Sequence, residues 1–131
     1  MTDEPRCEHL AAYFTWEPPP GGAPVRFAVV TAYNPDGHVR PAAENSAADA
    51  ALREALLAAG FAPFRVVGRS ADGTHQEPGW GFAADSPEAA RPFSRSYSQL
   101  AFFWVENGEI FIVNTEGALL HPVAAWSDRL L

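Results

Sequence analysis

Residues 25–60, VRFAVVTAYNPDGHVRPAAENSAADAALREALLAAG, hold a strand, a loop and a helix in succession, and that succession sets the fold class. Phe27, Ala28, Val29 and Val30 form an apolar, β-prone run that ends among Thr31, Tyr33 and Asn34 before Pro35 stops it. Asp36, Gly37, His38 and Arg40 supply a polar loop. Over residues 42–59 the periodicity becomes helical. Ala48, Leu52, Ala55, Leu56 and Ala59 share one face, Asp49, Arg53 and Glu54 fall largely away from it, and Gly60 is the expected stop. So many alanines predict a slim helix that can lie close on a sheet.

Downstream, residues 61–67 (FAPFRVV) predict a third strand, and GRSADG at 68–73 supplies turn chemistry. Residues 77–83 (EPGWGFA) predict a fourth strand, with Pro78, Gly79 and Gly81 pointing to a bulge or an edge. Asp85, Ser86, Pro87 and Glu88 open a second helix whose buried face is Phe93, Tyr97 and Leu100. Pro92 falls past its first turn by this count and predicts a kink. Residues 101–105 and 109–115 are strands joined by Asn107 and Gly108, the strongest short-range hairpin signal in the chain. Residues 117–131 predict an apolar tail packed on the domain, helical after Pro122.

Upstream, residues 10–16 (LAAYFTW) predict a first strand or a short helix leading into one. EPPPGGAP at 17–24 is a loop, and the polar residues 1–9 are expected to fray. From residue 25 the order is strand, helix, strand, strand, helix, strand. It predicts an α+β domain with a single-layer, mostly antiparallel sheet and two helices on one face. The expected architecture is ferredoxin-like, a split βαβ with extra terminal strands.

A length of 131 residues and 47% hydrophobic content predict one domain over residues 1–131. No apolar run is long enough to span a membrane, and the start MTDEPRCEHL lacks the basic and apolar regions of a secretory signal. The lone Cys7 fits a reducing compartment, so a cytoplasmic location is expected. The net charge is −7, and the nine basic residues are all Arg spread along the chain, which disfavours a nucleic-acid partner. Cys7, His9, His38, His75 and His121 match no metal-ligand spacing, GRSADG is no phosphate loop, and Ser94, Ser96 and Ser98 have no His nearby in sequence. No cofactor and no metal are expected.

Candidate ligand contacts gather around the first loop: Thr31, Tyr33, Asn34, Glu44 and Asn45. Each also has an ordinary role, since Asn34 suits a turn while Glu44 and Asn45 suit a helix start. Glu77, in THQEPGWG, is a second carboxylate that aromatic neighbours could desolvate, and acid/base work would require it to meet Glu44. Trp80 and Phe82 suit a core strand better than a stacking platform.

TAYNP at 31–35, Glu44 with Asn45, GRSADGTHQEPGW at 68–80 and FSRSYSQLAFFW at 93–104 resemble a bacterial family known as domain of unknown function 3293. The similarity covers residues 27–113. It places Thr31, Asn34, Pro35, Glu44, Asn45, Asp72, Gly73, Glu77, Phe93 and Gln99 at family positions, which adds Gln99 to the candidate contacts. The chain departs from the pattern at Pro92 and at Tyr97 and Ser98, where a glycine commonly precedes the Gln. The resemblance implies one compact α+β domain and brings no activity with it. The function expected is binding of a small polar ligand in a polar pocket at the 31–45 junction. The alternative is a non-catalytic protein–protein interaction module with an exposed aromatic patch drawn from Tyr33, Trp80, Trp104 or Trp126.

Overall fold

The computed structural model describes residue 5 and residues 7–131, the side chains of residues 7 and 8 excepted. The fraying expected at residues 1–9 falls in part outside the described residues. Cys7–Leu10 form a one-turn helix, α1, ahead of strand β1 (Tyr13–Trp16). Then come β2 (Arg26–Thr31), α2 (Ala42–Ala58), β3 (Phe64–Arg69), β4 (Gln76–Ala83), α3 (Arg91–Ser96), β5 (Ala101–Glu106), β6 (Glu109–Asn114), β7 (His121–Ala125) and α4 (Trp126–Arg129).

The architecture is α+β, and its sheet is larger than the sequence predicted: seven strands in the order β1-β3-β4-β2-β5-β6-β7, every neighbouring pair antiparallel. Part of the expected C-terminal tail is strand β7. It lies at the end of the strand order, where Pro122 can be accommodated opposite Phe111 because an edge strand has one side without a ladder. Helix after Pro122 shrinks to the four residues of α4.

Two other expectations are corrected. β4 is central rather than an edge, and its register against β2 and β3 runs without a shift. Pro78 fits there because β2 ends at Thr31 opposite Gly79, so Pro78 lies just past it. The kink expected at Pro92 is instead a restart. A 3-10 turn (Pro87–Ala89) ends before α3 begins, which puts Pro92 in the first turn of α3, where no backbone donor is required.

The sheet is apolar on both faces because its central strands alternate apolar residues in both directions. On one face α2 and α3 cover Ala28, Val30, Phe82, Phe102 and Trp104, with Leu52 and Leu56 of α2 fully buried against them. Asp49 belongs to this buried face too, contrary to the helical reading. Its carboxylate accepts two hydrogen bonds from Arg65 on β3, at 2.9 and 2.8 Å. Arg65 lies 3.7 Å from the centre of the Trp80 ring, and Trp80 Nε1 donates to the Asp49 carbonyl at 3.0 Å. A paired and hydrogen-bonded carboxylate can be buried where a bare one could not.

The opposite face carries Phe14, Phe27, Val29, Phe64, Val66 and Val105, and the sheet covers it by curling on itself. Phe14 of β1 meets Phe103 of β5 edge to face at 5.0 Å although three strands separate them in the strand order. Trp126, where β7 gives way to α4, fills the centre, 5.0 to 5.3 Å from the rings of Phe14, Phe27 and Trp16. The two ends of the sheet then join. Phe14 forms a parallel bridge with Leu130, Leu131 N donates to the Phe14 carbonyl at 2.9 Å, and Arg129 Nη1 donates to the carbonyls of Leu10 and Ala12.

Gly81 makes room for this curl. It lies opposite Phe64 in the β3–β4 ladder, and a Cβ there would sit 2.4 Å from the Phe64 ring. Gly81→Ala is expected to destabilise the protein by about 1–3 kcal/mol through overpacking, read as a lower urea midpoint. Adding Phe64→Leu should recover part of the loss relative to Phe64→Leu alone, and equal penalties in both backgrounds would refute the clash.

Candidate functional site

The loop after β2 is shaped by two asparagines that face each other. Asn34 adopts the left-handed conformation at φ 47°, which Asn tolerates better than most residues. Asn45, in the first turns of α2, is 5% exposed. Its Oδ1 accepts from Asn34 N at 3.0 Å and from Arg40 Nε at 2.7 Å. Its Nδ2 donates to Asn34 Oδ1 at 2.8 Å and to the Arg40 carbonyl at 3.3 Å. Arg40 N donates to Asn34 Oδ1, and Arg40 Nη2 donates to the Ala32 carbonyl at 2.7 Å. Each asparagine therefore ties the end of β2 to the start of α2, Asn45 through both its side-chain oxygen and nitrogen and Asn34 through its backbone N and its Oδ1. Glu44 is exposed in the first turn of α2, where its charge complements the helix dipole.

Thr31 and Gln99 brace the same junction from the sheet. Thr31 Oγ1 donates to the Pro78 carbonyl at 2.7 Å and accepts from Tyr33 N at 3.0 Å. Gln99 Nε2 donates to the Tyr33 and Tyr97 carbonyls, at 3.0 and 3.1 Å. Tyr33 thus joins the junction through its backbone.

On the concave side of the sheet lies a cavity of about 130 Å³. Thr31, Glu77 and Gln99 line it together with Phe14, Val29 and Phe103. A second recess of about 220 Å³ borders on Asn34, Val39 and Leu100, and His9, His75, Glu77 and Gln99 line both. Thr31, Asn34, Glu77 and Gln99 are thus brought around one pair of recesses, whereas Tyr33, Glu44 and Asn45 line neither. Strand register opens the space. Glu77 is paired with Gly68 and Thr31 with Gly79, so each polar side chain faces a neighbour with no side chain.

Sequence reasoning set His75 aside after the metal test and did not weigh it as a contact. The signal was present, since His75 stands two residues before Glu77 and immediately ahead of β4, and positions two apart in extended chain share a face. His75 Nε2 lies 3.1 Å from Glu77 Oε2. Glu77 Oε1 and Gln99 Oε1 have no partner among the described residues. His9 packs edge-on against Phe103 at 5.9 Å. Among the described residues no group of three or more His, Cys, Asp or Glu could hold a metal ion, and no helix is long and apolar enough to cross a membrane.

The turn joining β3 to β4 forms one bank of this region. Asp72 Oδ1 accepts from Thr74 N at 3.0 Å, and from the hydroxyls of Ser70 and Thr74 at 2.8 Å each. The backbone bond from Thr74, then the two hydroxyls, hold the Asp72 carboxyl down at about 2. Ser70 Oγ in turn accepts from His75 N at 3.0 Å, which connects the turn to the residue beside Glu77. On the helix side, burial pushes the Tyr97 hydroxyl above its ordinary range.

Two outcomes follow from these networks. Asn45→Ala strips partners from Asn34 N and Arg40, and should cost about 1–3 kcal/mol in urea denaturation with faster proteolysis within residues 34–41. Unchanged stability and proteolysis would show that the pair does not hold the loop. Because the folded Asp72 carboxyl is depressed, its contribution to the turn is complete above its unfolded value of 3.8 and is lost as pH falls through about 2. An NMR titration of its side-chain carboxyl should show a midpoint near about 2, and a midpoint at 3.8 would contradict the turn geometry.

A family model described as "Protein of unknown function (DUF3293)" matches residues 30–102, more than half of the chain. No curated protein and no solved structure matches. The matched span contains the Asn34–Asn45 tie, the Asp72 turn, Glu77 and Gln99, and the chain belongs to the DUF3293 family.

Proposed function

We propose that the chain binds a small polar ligand in the cavity on the concave side of its sheet. The observation that supports this is the convergence of Thr31, Glu77 and Gln99, separated by up to 68 residues in sequence, around one recess with an apolar floor. Apolar walls with a few convergent polar groups are the usual make-up of a small-molecule site. The binding groups proposed are Glu77 and Gln99, each with an acceptor oxygen that no described residue engages. Thr31, Asn34 and Asn45 hold the frame around them.

Paired-carboxylate catalysis is not part of the proposal, because Glu44 is exposed and lines neither recess. The interaction-module alternative loses most of its aromatic patch. Trp104 is 0% exposed, Trp126 is 5% exposed, and Trp80 lies beneath Arg65. A cytoplasmic location stays with the proposal on the strength of the single cysteine. So does the absence of a nucleic-acid partner, which the net charge of −7 supports. The finer fold assignment also belongs here. β2, α2 and β3 with β4 between the two strands, and β5 beyond β2, support a ferredoxin-like split βαβ core extended by β1, β6 and β7.

The test is a thermal-shift screen of small metabolites on the wild type, Glu77→Gln and Gly68→Val. At Gly68 a Cβ would meet nothing nearer than the Glu77 carbonyl oxygen at 3.8 Å, so valine is expected to fill the cavity without disturbing the strand. A ligand at one hundred times its Kd should stabilise the wild type by about 2.7 kcal/mol and Gly68→Val hardly at all. A ligand that stabilises Gly68→Val as strongly as the wild type binds elsewhere and would sink the proposal.

A further inference from the structure

We infer that the ligand taken by this cavity is a small organic ammonium ion, an amine with a compact apolar body. The inference rests on the binding role proposed above and specifies its chemistry. It follows from which hydrogen-bonding groups at the cavity remain available and which are already engaged.

The donors of Thr31, Ser70, Gln99 and Arg69 are engaged within the fold, the Ser70 hydroxyl by Asp72 Oδ1 at 2.8 Å. The Thr31 hydroxyl proton goes to the Pro78 carbonyl, and Gln99 Nε2 donates to two carbonyls. Arg69 also borders the cavity, but it follows Gly68 and so presents its side chain to the opposite face of β3, where its Nε donates to Thr15 Oγ1 at 3.0 Å. The acceptors remain. Gln99 keeps its Oε1, and Glu77 keeps Oε1 beyond the oxygen that meets His75. Glu77 thus offers the cavity a carboxylate oxygen that no described residue engages. A neutral acceptor beside a carboxylate calls for a ligand group that donates several hydrogen bonds and carries positive charge, which an ammonium does.

The floor selects the rest of the molecule. Phe14, Val29, Ala101 and Phe103 present apolar surface, and Gly68 and Gly79 leave the gap between them open. A volume of about 130 Å³ is close to the roughly 150 Å³ of an engineered apolar cavity that holds benzene, so a branched alkyl group or a small ring fits. A long chain or a sugar does not. The whole chain's net charge of −7 favours approach of a cation as well.

Three probes that share one isobutyl body separate the possibilities: isobutylamine, isobutanol and isovalerate, which carry an ammonium, a hydroxyl and a carboxylate. Each is titrated to tens of millimolar against the 15N-labelled protein, with the amides of Gly68, Gly79 and Ala101 as reporters. Isobutylamine is expected to shift these amides at a concentration about tenfold or more below that of isobutanol, and isovalerate is expected to leave them unmoved. In Glu77→Gln, whose substitution at a partly exposed position preserves shape, the amine should lose its advantage over the alcohol. Equal or tighter binding of isobutanol or isovalerate by the wild type would overturn the ammonium assignment while leaving the cavity a binding site. An amine advantage that survives Glu77→Gln would overturn it as well. If none of the three probes moves those amides, the cavity itself is not a site, and both proposals fall.

Discussion

A seven-stranded sheet that is apolar on both faces must cover both, and the described residues hold helix enough for only one. α2 and α3 lie over Val30, Phe82 and Trp104. Among the described residues no helix of comparable length remains for the face that carries Phe14, Phe27, Val29 and Phe64. Burial of each such side chain contributes on the order of 1.5–3 kcal/mol, so leaving that face wet would forfeit much of the stability of a small domain. The sheet resolves the conflict by curling until β1 meets the residues after β7, with Trp126 inside and Leu130 bridged to Phe14. The glycines of β4 belong to the same solution. Gly81 yields its side-chain volume to Phe64, and at Gly79 a Cβ would stand 2.7 Å from the Val30 carbonyl oxygen.

The cavity follows from that curl. Where the concave side is fully packed, the rings of Phe27, Phe64 and Trp126 fill it. Toward the ends of β2 and β4 the inward positions become Thr31, Gly79 and Glu77, too small or too polar to close the space. The polar groups there divide by function in the physical sense. Thr31 and Asn45 make hydrogen bonds within the fold through every side-chain polar atom, and Asn34 through its Oδ1, so they set the shape of the junction. Glu77 and Gln99 keep oxygens that no described residue engages.

Asn34 and Asn45 show why a sequence pattern can mark a residue without revealing its task. An Asn before proline and an Asn at a helix start stand 11 residues apart, and either would suit a ligand contact, a turn or a cap. Their mutual hydrogen bonds, with Arg40 between them, give both a structural role. Asp49 is the converse case. Its charge removed it from the predicted helix face, and the Arg65 guanidinium, 16 residues on and across a strand, returns it there. A bidentate partner of that kind leaves no periodic trace in the sequence. Gln99 entered through family resemblance alone, and His75 was visible only by standing two residues before Glu77.

What the sequence determined by itself was the local structure and its class. Strand alternation, alanine-rich helical periodicity, the Asn107–Gly108 hairpin and Gly60 as a helix stop are short-range signals, governed by sterics and side-chain spacing within a few residues. Those signals placed α2 and most of the strands within a few residues and yielded an α+β domain. Only the tertiary structure decided that β7 replaces part of a tail, that β4 is central, that the sheet closes, and which polar residues face a cavity. Each of these depends on contacts between segments far apart in the chain, such as Phe14 with Leu130, Thr31 with Pro78 or Gln99 with Tyr33. A preference that resides in the partner, and not in the residue, becomes visible only when the two are brought together.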